Sequence, residues 1–197
     1  MPADQRRITA ADITPADQFG RERRERRAAL LPAKRLRRID VGPYCTFYFE
    51  TFETMLFQVQ EMLFIERGGP EQLEDELAAY NPLIPQGHEL IATIMFEIDD
   101  PKRRASVLAR LGGVEECFFI QIGAEKARGR PEGDVERTRE DGKASSVHFM
   151  HFDLSPAQIA HFRDPATQIL VGADHESYAH MAIMSPAARA ELAKDFA

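Results

Sequence analysis

The stretch that most limits how this chain can fold runs from Glu50 to Glu66: Glu-Thr-Phe-Glu-Thr-Met-Leu-Phe-Gln-Val-Gln-Glu-Met-Leu-Phe-Ile-Glu. At about 100° per residue, the helical period, Met55, Leu56, Val59, Met62 and Leu63 make a broad apolar sector that Phe57 and Phe64 widen. A helix apolar nearly all round is a buried one. Residues 51–67 are therefore expected to form a central helix on which the other elements pack. Glu53 and Gln60, seven apart, fall on one line inside the apolar sector. A buried polar group without a partner costs about 2–7 kcal/mol, so both must find one. Thr54, Gln58 and Glu61 share the strip left for solvent or a site.

Strand and helix signals alternate around this helix. Tyr44 to Glu50 is strand-forming, with Cys45, Phe47 and Phe49 on one side and Thr46, Tyr48 and Glu50 on the other. His88 to Ile98 is apolar on both faces and reads as a central strand. Further strands are expected at 115–122, 145–154, 167–171 and 178–184. Helices are expected from Thr14-Pro15 to about Leu30, with a break at Pro32, then over 70–80 and 101–111, and after Ser155-Pro156 and Ser185-Pro186. The pattern predicts an α+β fold: a mostly antiparallel sheet of about six strands with helices packed on it. With 197 residues, a single domain is the simplest organisation.

Charge is unevenly spread. The net formal charge is −7, yet Arg21 to Arg38 holds nine Lys or Arg against two Glu, a local +7 that leaves −14 on the remainder. The basic helical segment 15–38 is thus a candidate contact for an anion or a partner protein through Arg35, Arg37 and Arg38, or else a solvated face paired with acidic neighbours. The acidic total argues against nucleic-acid binding. The N-terminus lacks the apolar stretch of a signal peptide, and no run approaches the roughly 20 apolar residues that span a bilayer, so a cytoplasmic location is expected. Cys45 and Cys117 are the only cysteines and have no metal-like spacing. Residues 124–144 hold balanced charge and almost no apolar residues, and are expected to form a mobile loop. Self-association is left open.

No Gly-x-Gly-x-x-Gly, phosphate-binding Gly-Lys-Ser/Thr, Gly-x-Ser-x-Gly or His-Glu-x-x-His is present, which weakens the common nucleotide, hydrolase and zinc-protease assignments. His148 shares a strand face with Met150, Phe152 and Leu154 and reads as a core histidine or a ligand. His151, on the opposite face beside Asp153, reads as ordinary surface. Asp174-His175 is expected in a loop between two strands, as an acid–base or ligand pair or as a simple turn. Glu50, Glu53, Glu61 and Glu76 can meet only through the fold. A metal site would need two or more of them beside His148 or His175; Glu53 is the first carboxylate to consider.

Val41-Gly42-Pro43, then Phe49-Glu50-x-x-Glu53-Thr54-x-Leu56-Phe57-Gln58-x-Gln60-Glu61-Met62, resembles a bacterial family known as a domain of unknown function, number thirty-five-oh-one. The similarity continues through Asp75-Glu76-Leu77, Tyr80-Asn81, Leu111 to Cys117, Ser146-Val147-His148 and Asp174-His175-x-x-Tyr178. The resemblance implies a small cytoplasmic bacterial protein without an assigned activity or cofactor. Members tend to be encoded near rubrerythrin-like and iron–sulfur oxidoreductase genes, which implies a tie to redox or oxidative-stress physiology.

Two functional expectations follow. One is a binding or accessory module that holds a partner protein or small anionic ligand through Glu50, Glu53, Gln60 and Glu61 and the basic segment. The other is a metal-dependent enzyme or sensor built from His148 or His175 and buried carboxylates.

Overall fold

The computed structural model describes residues 6–133 and 143–197. Among them, six α-helices and nine strands alternate in an α+β arrangement, with two antiparallel sheets in place of the one expected. The five-stranded sheet has the order β1 (Arg38–Val41), β2 (Cys45–Phe49), β3 (Glu89–Phe96), β7 (Val147–Asp153), β6 (Arg130–Pro131). The four-stranded sheet runs β5 (Glu125–Arg128), β4 (Phe118–Ile122), β8 (Ile169–His175), β9 (Tyr178–Ile183). The strand period of two sends Cys45, Phe47 and Phe49 to the inner face as expected, where Phe47 meets Phe118 of the other sheet edge-on at 5.6 Å. Leu90, Ala92, Ile94 and Phe96 of β3 and Met150 and Phe152 of β7 complete this core between the sheets.

The other face of the five-stranded sheet carries the long helices. Helix α1 (Ala16–Leu36) crosses α2 (Phe52–Glu66), and α3 (Gly69–Tyr80) follows α2. Phe19 of α1 packs on Phe57 at 5.7 Å and Phe64 at 6.0 Å, while Arg23 makes a two-pronged ion pair with Glu61. A second core of Ile8, Phe52, Met55, Val59, Leu83, Ile84 and Ile91 lies beneath α2. Three shorter helices, α4 (Pro101–Leu108), α5 (Pro156–Arg163) and α6 (Pro186–Leu192), start as their acidic or hydroxyl-Pro signals predict. Asp100, Ser155 and Ser185 accept the N–H groups of Arg103, Gln158 and Ala188.

Several expectations change. Helix α1 does not break at Pro32 but continues to Leu36. Proline removes the N–H that would bond to Ala28, but both residues are exposed, so water can reach the freed carbonyl. Val41-Gly42-Pro43 is no irregular entry but the turn of a β1–β2 hairpin, with Val41 paired to Cys45. Gly42 has φ of 69°, and a Cβ there would lie 2.6 Å from the His180 ring and 2.9 Å from the Tyr178 hydroxyl. The expected loop 172–176 is strand: β8 runs through Gly172 to His175 and turns into β9 across only Glu176 and Ser177. Gly172 is there for space, since a Cβ would meet the Phe119 ring and the His180 carbonyl at 2.7 Å. The expected mobile loop 124–144 begins with the ordered strands β5 and β6, and residues 134–142 lie outside those described.

Candidate functional site

Glu50 follows directly on β2, on the face that looks toward α2. Its backbone N–H bonds to the Ile91 carbonyl at 2.8 Å, which extends the β2–β3 pairing by one residue and fixes where the side chain starts. Thr51 caps α2: its hydroxyl accepts the Thr54 N–H, and the Thr54 hydroxyl accepts the Thr51 N–H at 2.9 Å. That Thr54 hydroxyl donates to Glu50 Oε2 at 2.6 Å, and Thr93 on β3 donates to Oε1 at the same distance. Both carboxylate oxygens therefore accept from hydroxyls fixed on separate elements, although the residue is only 9% exposed.

This carboxylate faces a cavity of about 280 Å³ between α2 and the five-stranded sheet. Met55, Met95, Val147 and Phe149 form apolar walls; Tyr48, Gln58 and Tyr80 add polar edges; and Lys34 and Arg37 approach from the end of α1. Lys34 is exposed. Arg37 is only 2% exposed, and its guanidinium donates to the Phe49 carbonyl at 3.0 Å, to the Glu50 carbonyl at 3.1 Å and to Asp195. Arg37 is thus no surface contact for a partner, as its place in the basic segment suggested, but an internal strut. Burial pushes Asp195 up to about 6 against the pull of Arg37. Arg35 is exposed, and Arg38 is tied to Asp40 at 2.9 Å and to the Tyr48 hydroxyl at 3.2 Å.

The remaining predicted residues do not gather at this cavity. Glu53 is exposed, a correction to its expected burial. A helix apolar nearly all round has little preference in rotation, and here Thr54, folded back on Thr51 and Glu50, turns its own side toward the sheet and Glu53 outward. Gln60 is buried as expected, and its amide closes on the backbone of Thr14, accepting from the N–H at 3.2 Å and donating to the carbonyl at 3.1 Å. Asn81 grips Ile8 in the same way, at 2.7 and 3.0 Å. These two amides pin the segment leading into α1. Glu61 is held by Arg23, and Glu76 accepts from Gln72 at 3.2 Å on α3.

His148 donates from Nε2 to the Ser145 carbonyl at 2.9 Å among Phe96 and Phe118, on the core side of the sheet away from Glu50. His175 donates from Nε2 to the Gly112 carbonyl at 3.2 Å and accepts the Ser177 N–H on Nδ1 at 3.1 Å, so both ring nitrogens are engaged. Asp174 lies on the outer face of the four-stranded sheet, paired with Arg128 at 2.6 Å and Lys126 at 3.1 Å; the Arg128 hydrogen bond first of all lowers its pKa. Asp174 and His175 are therefore strand residues on opposite faces, not a loop pair. Among the described residues, no group of three or more His, Cys, Asp or Glu is arranged to hold a metal ion.

His151 is the residue the sequence misjudged most. It is buried, with Nδ1 2.8 Å from Glu89 and Nε2 against Glu132. Burial opposes its charged form, but the hydrogen bonds and charges of the two carboxylates outweigh burial and raise its pKa above the ordinary histidine value. Asp153 next to it is exposed as the alternation predicts; what hides His151 is Glu132, from the segment read as a mobile loop. No helical or strand period links those positions.

Two antiparallel sheets, helices on one outer face and a carboxylate-bearing cavity beneath them define an α+β protein with an internal pocket. The chain belongs to the family described as "Protein of unknown function (DUF3501)", which it matches over residues 7–196, as the glutamine-bearing helix motif led us to expect. It is similar to a novel protein of unknown function from Burkholderia pseudomallei K96243, known from a crystal structure: 30% identity and a TM-score of 0.88, covering 96% of this chain and 99% of that one. No curated protein matches the chain. None of its described helices is long and apolar enough to cross a membrane.

Proposed function

We propose that this chain is a small-molecule binding protein whose site is the cavity between α2 and the five-stranded sheet. The observation that carries this reading is the Glu50 carboxylate, buried, oriented by Thr54 and Thr93, and facing open volume lined mainly by apolar side chains. A few convergent polar groups in an apolar concavity are the usual composition of a ligand pocket, although about 280 Å³ lies at the small end of the range. A purely structural carboxylate would be better served by close packing on all sides, since empty volume beside it forfeits contact energy.

The test is thermal-shift screening of small metabolites against the wild-type protein and a Gln58→Trp variant, in which an indole from the rim of α2 fills the cavity. A ligand at about one hundred times its Kd stabilises the folded state by roughly 2.7 kcal/mol. The expected result is stabilisation of the wild type and none of the variant. Equal stabilisation of both proteins, or of neither across the screen, refutes the reading.

A further inference from the structure

We infer that the ligand of this cavity is a small organic ammonium with an apolar arm, its N–H or N–CH groups set against Glu50 and its arm against the methionine and aromatic walls. This inference rests on the cavity being a ligand site.

The polarity of Glu50 comes first. The Thr54 hydroxyl accepts the Thr51 N–H and the Thr93 hydroxyl points at the other oxygen, so the cavity wall presents an acceptor, with lone pairs beyond those two bonds. Charge compensation comes second. Among the described residues, no Lys, Arg or His nitrogen stands within ion-pair distance of the Glu50 carboxylate. Arg37, which also lines the cavity, donates to the Phe49 and Glu50 carbonyls and to Asp195, and stands 3.7 Å from Glu191. Lys34 sits at the solvent side, where water screens its charge. An anion entering the cavity would meet a like charge in a region of low dielectric. A neutral apolar molecule would strip water from the carboxylate and return nothing. A cation with donors satisfies both requirements.

The walls agree with this choice. Tyr48, Tyr80 and Phe149 offer aromatic surface, and Met55 and Met95 offer polarizable thioethers. Aromatic faces beside a carboxylate are what attract an alkylammonium group. A cavity of about 150 Å³ takes benzene, so about 280 Å³ has room for a molecule of roughly ten heavy atoms. The small anion suggested by the basic segment is not what this cavity is built to hold.

Three probes of nearly one shape separate the possibilities: 2-phenylethylammonium, 2-phenylethanol and 3-phenylpropionate, titrated calorimetrically into the full chain and into Glu50→Gln and Gln58→Trp variants. The ammonium is expected to bind at least tenfold tighter than the alcohol, and the carboxylate at least tenfold weaker than the alcohol. Glu50→Gln should remove the preference for the ammonium and leave the alcohol within about threefold. If Glu50→Gln fails to fold, the wild-type order of the three probes still decides. Binding of the alcohol or the carboxylate as tightly as the ammonium, abolished by Gln58→Trp, overturns the ammonium assignment and leaves the pocket standing. No binding of any probe at millimolar concentration, together with a negative metabolite screen, overturns both.

Discussion

Tyr178, the first residue of β9, reaches from the four-stranded sheet to the β1–β2 turn of the other sheet. Its hydroxyl accepts the N–H groups of Tyr44 and Cys45, each at 3.0 Å, and donates to the Val41 carbonyl at 2.8 Å. The ring is 4% exposed and stands edge-on to Phe96 at 5.4 Å, so Tyr178→Phe would keep the packing and delete only the hydroxyl. Three backbone groups then lose a partner. Tyr44 is half-exposed, so water can replace part of that loss at a cost of about 0.5–1 kcal/mol. Cys45 and Val41 are buried, and each is expected to cost about 1–2 kcal/mol. The total is about 2.5–5 kcal/mol, or a fall in Tm of roughly 5–20 °C for a chain of this size. Urea unfolding followed by circular dichroism measures it directly, with the midpoint lowered and the slope unchanged. Tyr48→Phe is the control: its hydroxyl contacts Glu97 and Arg38 at the exposed edge, where about 1 kcal/mol or less is expected. A loss below 1 kcal/mol for Tyr178→Phe, or one no larger than for Tyr48→Phe, would refute the assignment of this hydroxyl as the clasp between the sheets.

Two further predictions concern residues singled out above. Gln60→Ala should lower stability by about 2–3 kcal/mol through the loss of both bonds to Thr14, whereas Glu53→Ala on the exposed side of α2 should stay within about 0.5 kcal/mol; equal effects in urea titration would contradict the rotation of α2 described here. The pKa of His151 is raised on folding, so its stabilising contribution is complete below its unfolded value near 6.5 and is lost as pH rises through the folded value; Asp195, pushed up to about 6, loses its contribution as pH climbs from about 4 through 6. The wild type should therefore be less stable at pH 8.5 than at pH 5.5, and His151→Gln should flatten the curve above pH 6.5. Parallel curves for the two proteins would remove His151 as the titrating group.

Elements with a clean period were legible in the sequence. The two-faced apolar run at β3, the alternation of β2, and the Pro-marked starts of α4, α5 and α6 all follow from local chemistry. Strand pairing was less accessible: Val41-Gly42-Pro43 and Gly172 look like loop residues because glycine serves turns and close approaches alike, and only the neighbouring Tyr178, His180 and Phe119 tell the two uses apart. The candidate site was half legible. Glu50 stood out as a carboxylate at a strand-to-helix junction, but its partners Thr54 and Thr93 are spread over two elements, and Thr54 had been assigned to the solvent strip. Glu53 was misplaced because α2 is greasy on most sides, so hydrophobicity alone could not choose its rotation. His151 was lost because its two carboxylates lie 62 and 19 residues away in the chain.

The Arg37–Asp195 pair joins residues 158 apart in sequence, and that separation bears on the order of folding. Arg37 sits between α1 and β1, and until Glu191 and Asp195 arrive from the C-terminal end of the chain its guanidinium has only the carbonyls of Phe49 and Glu50 to replace water. The β1–β2 hairpin can form early, because its turn is short, but sealing the base of α1 must wait for α6 and the segment after it. An early intermediate is therefore expected to keep the C-terminal end of α1 loosely attached, with the cavity open on the Arg37 side. The final step of folding and the completion of the cavity wall are then one event, and a ligand that fills the cavity should slow unfolding by holding that last seal shut.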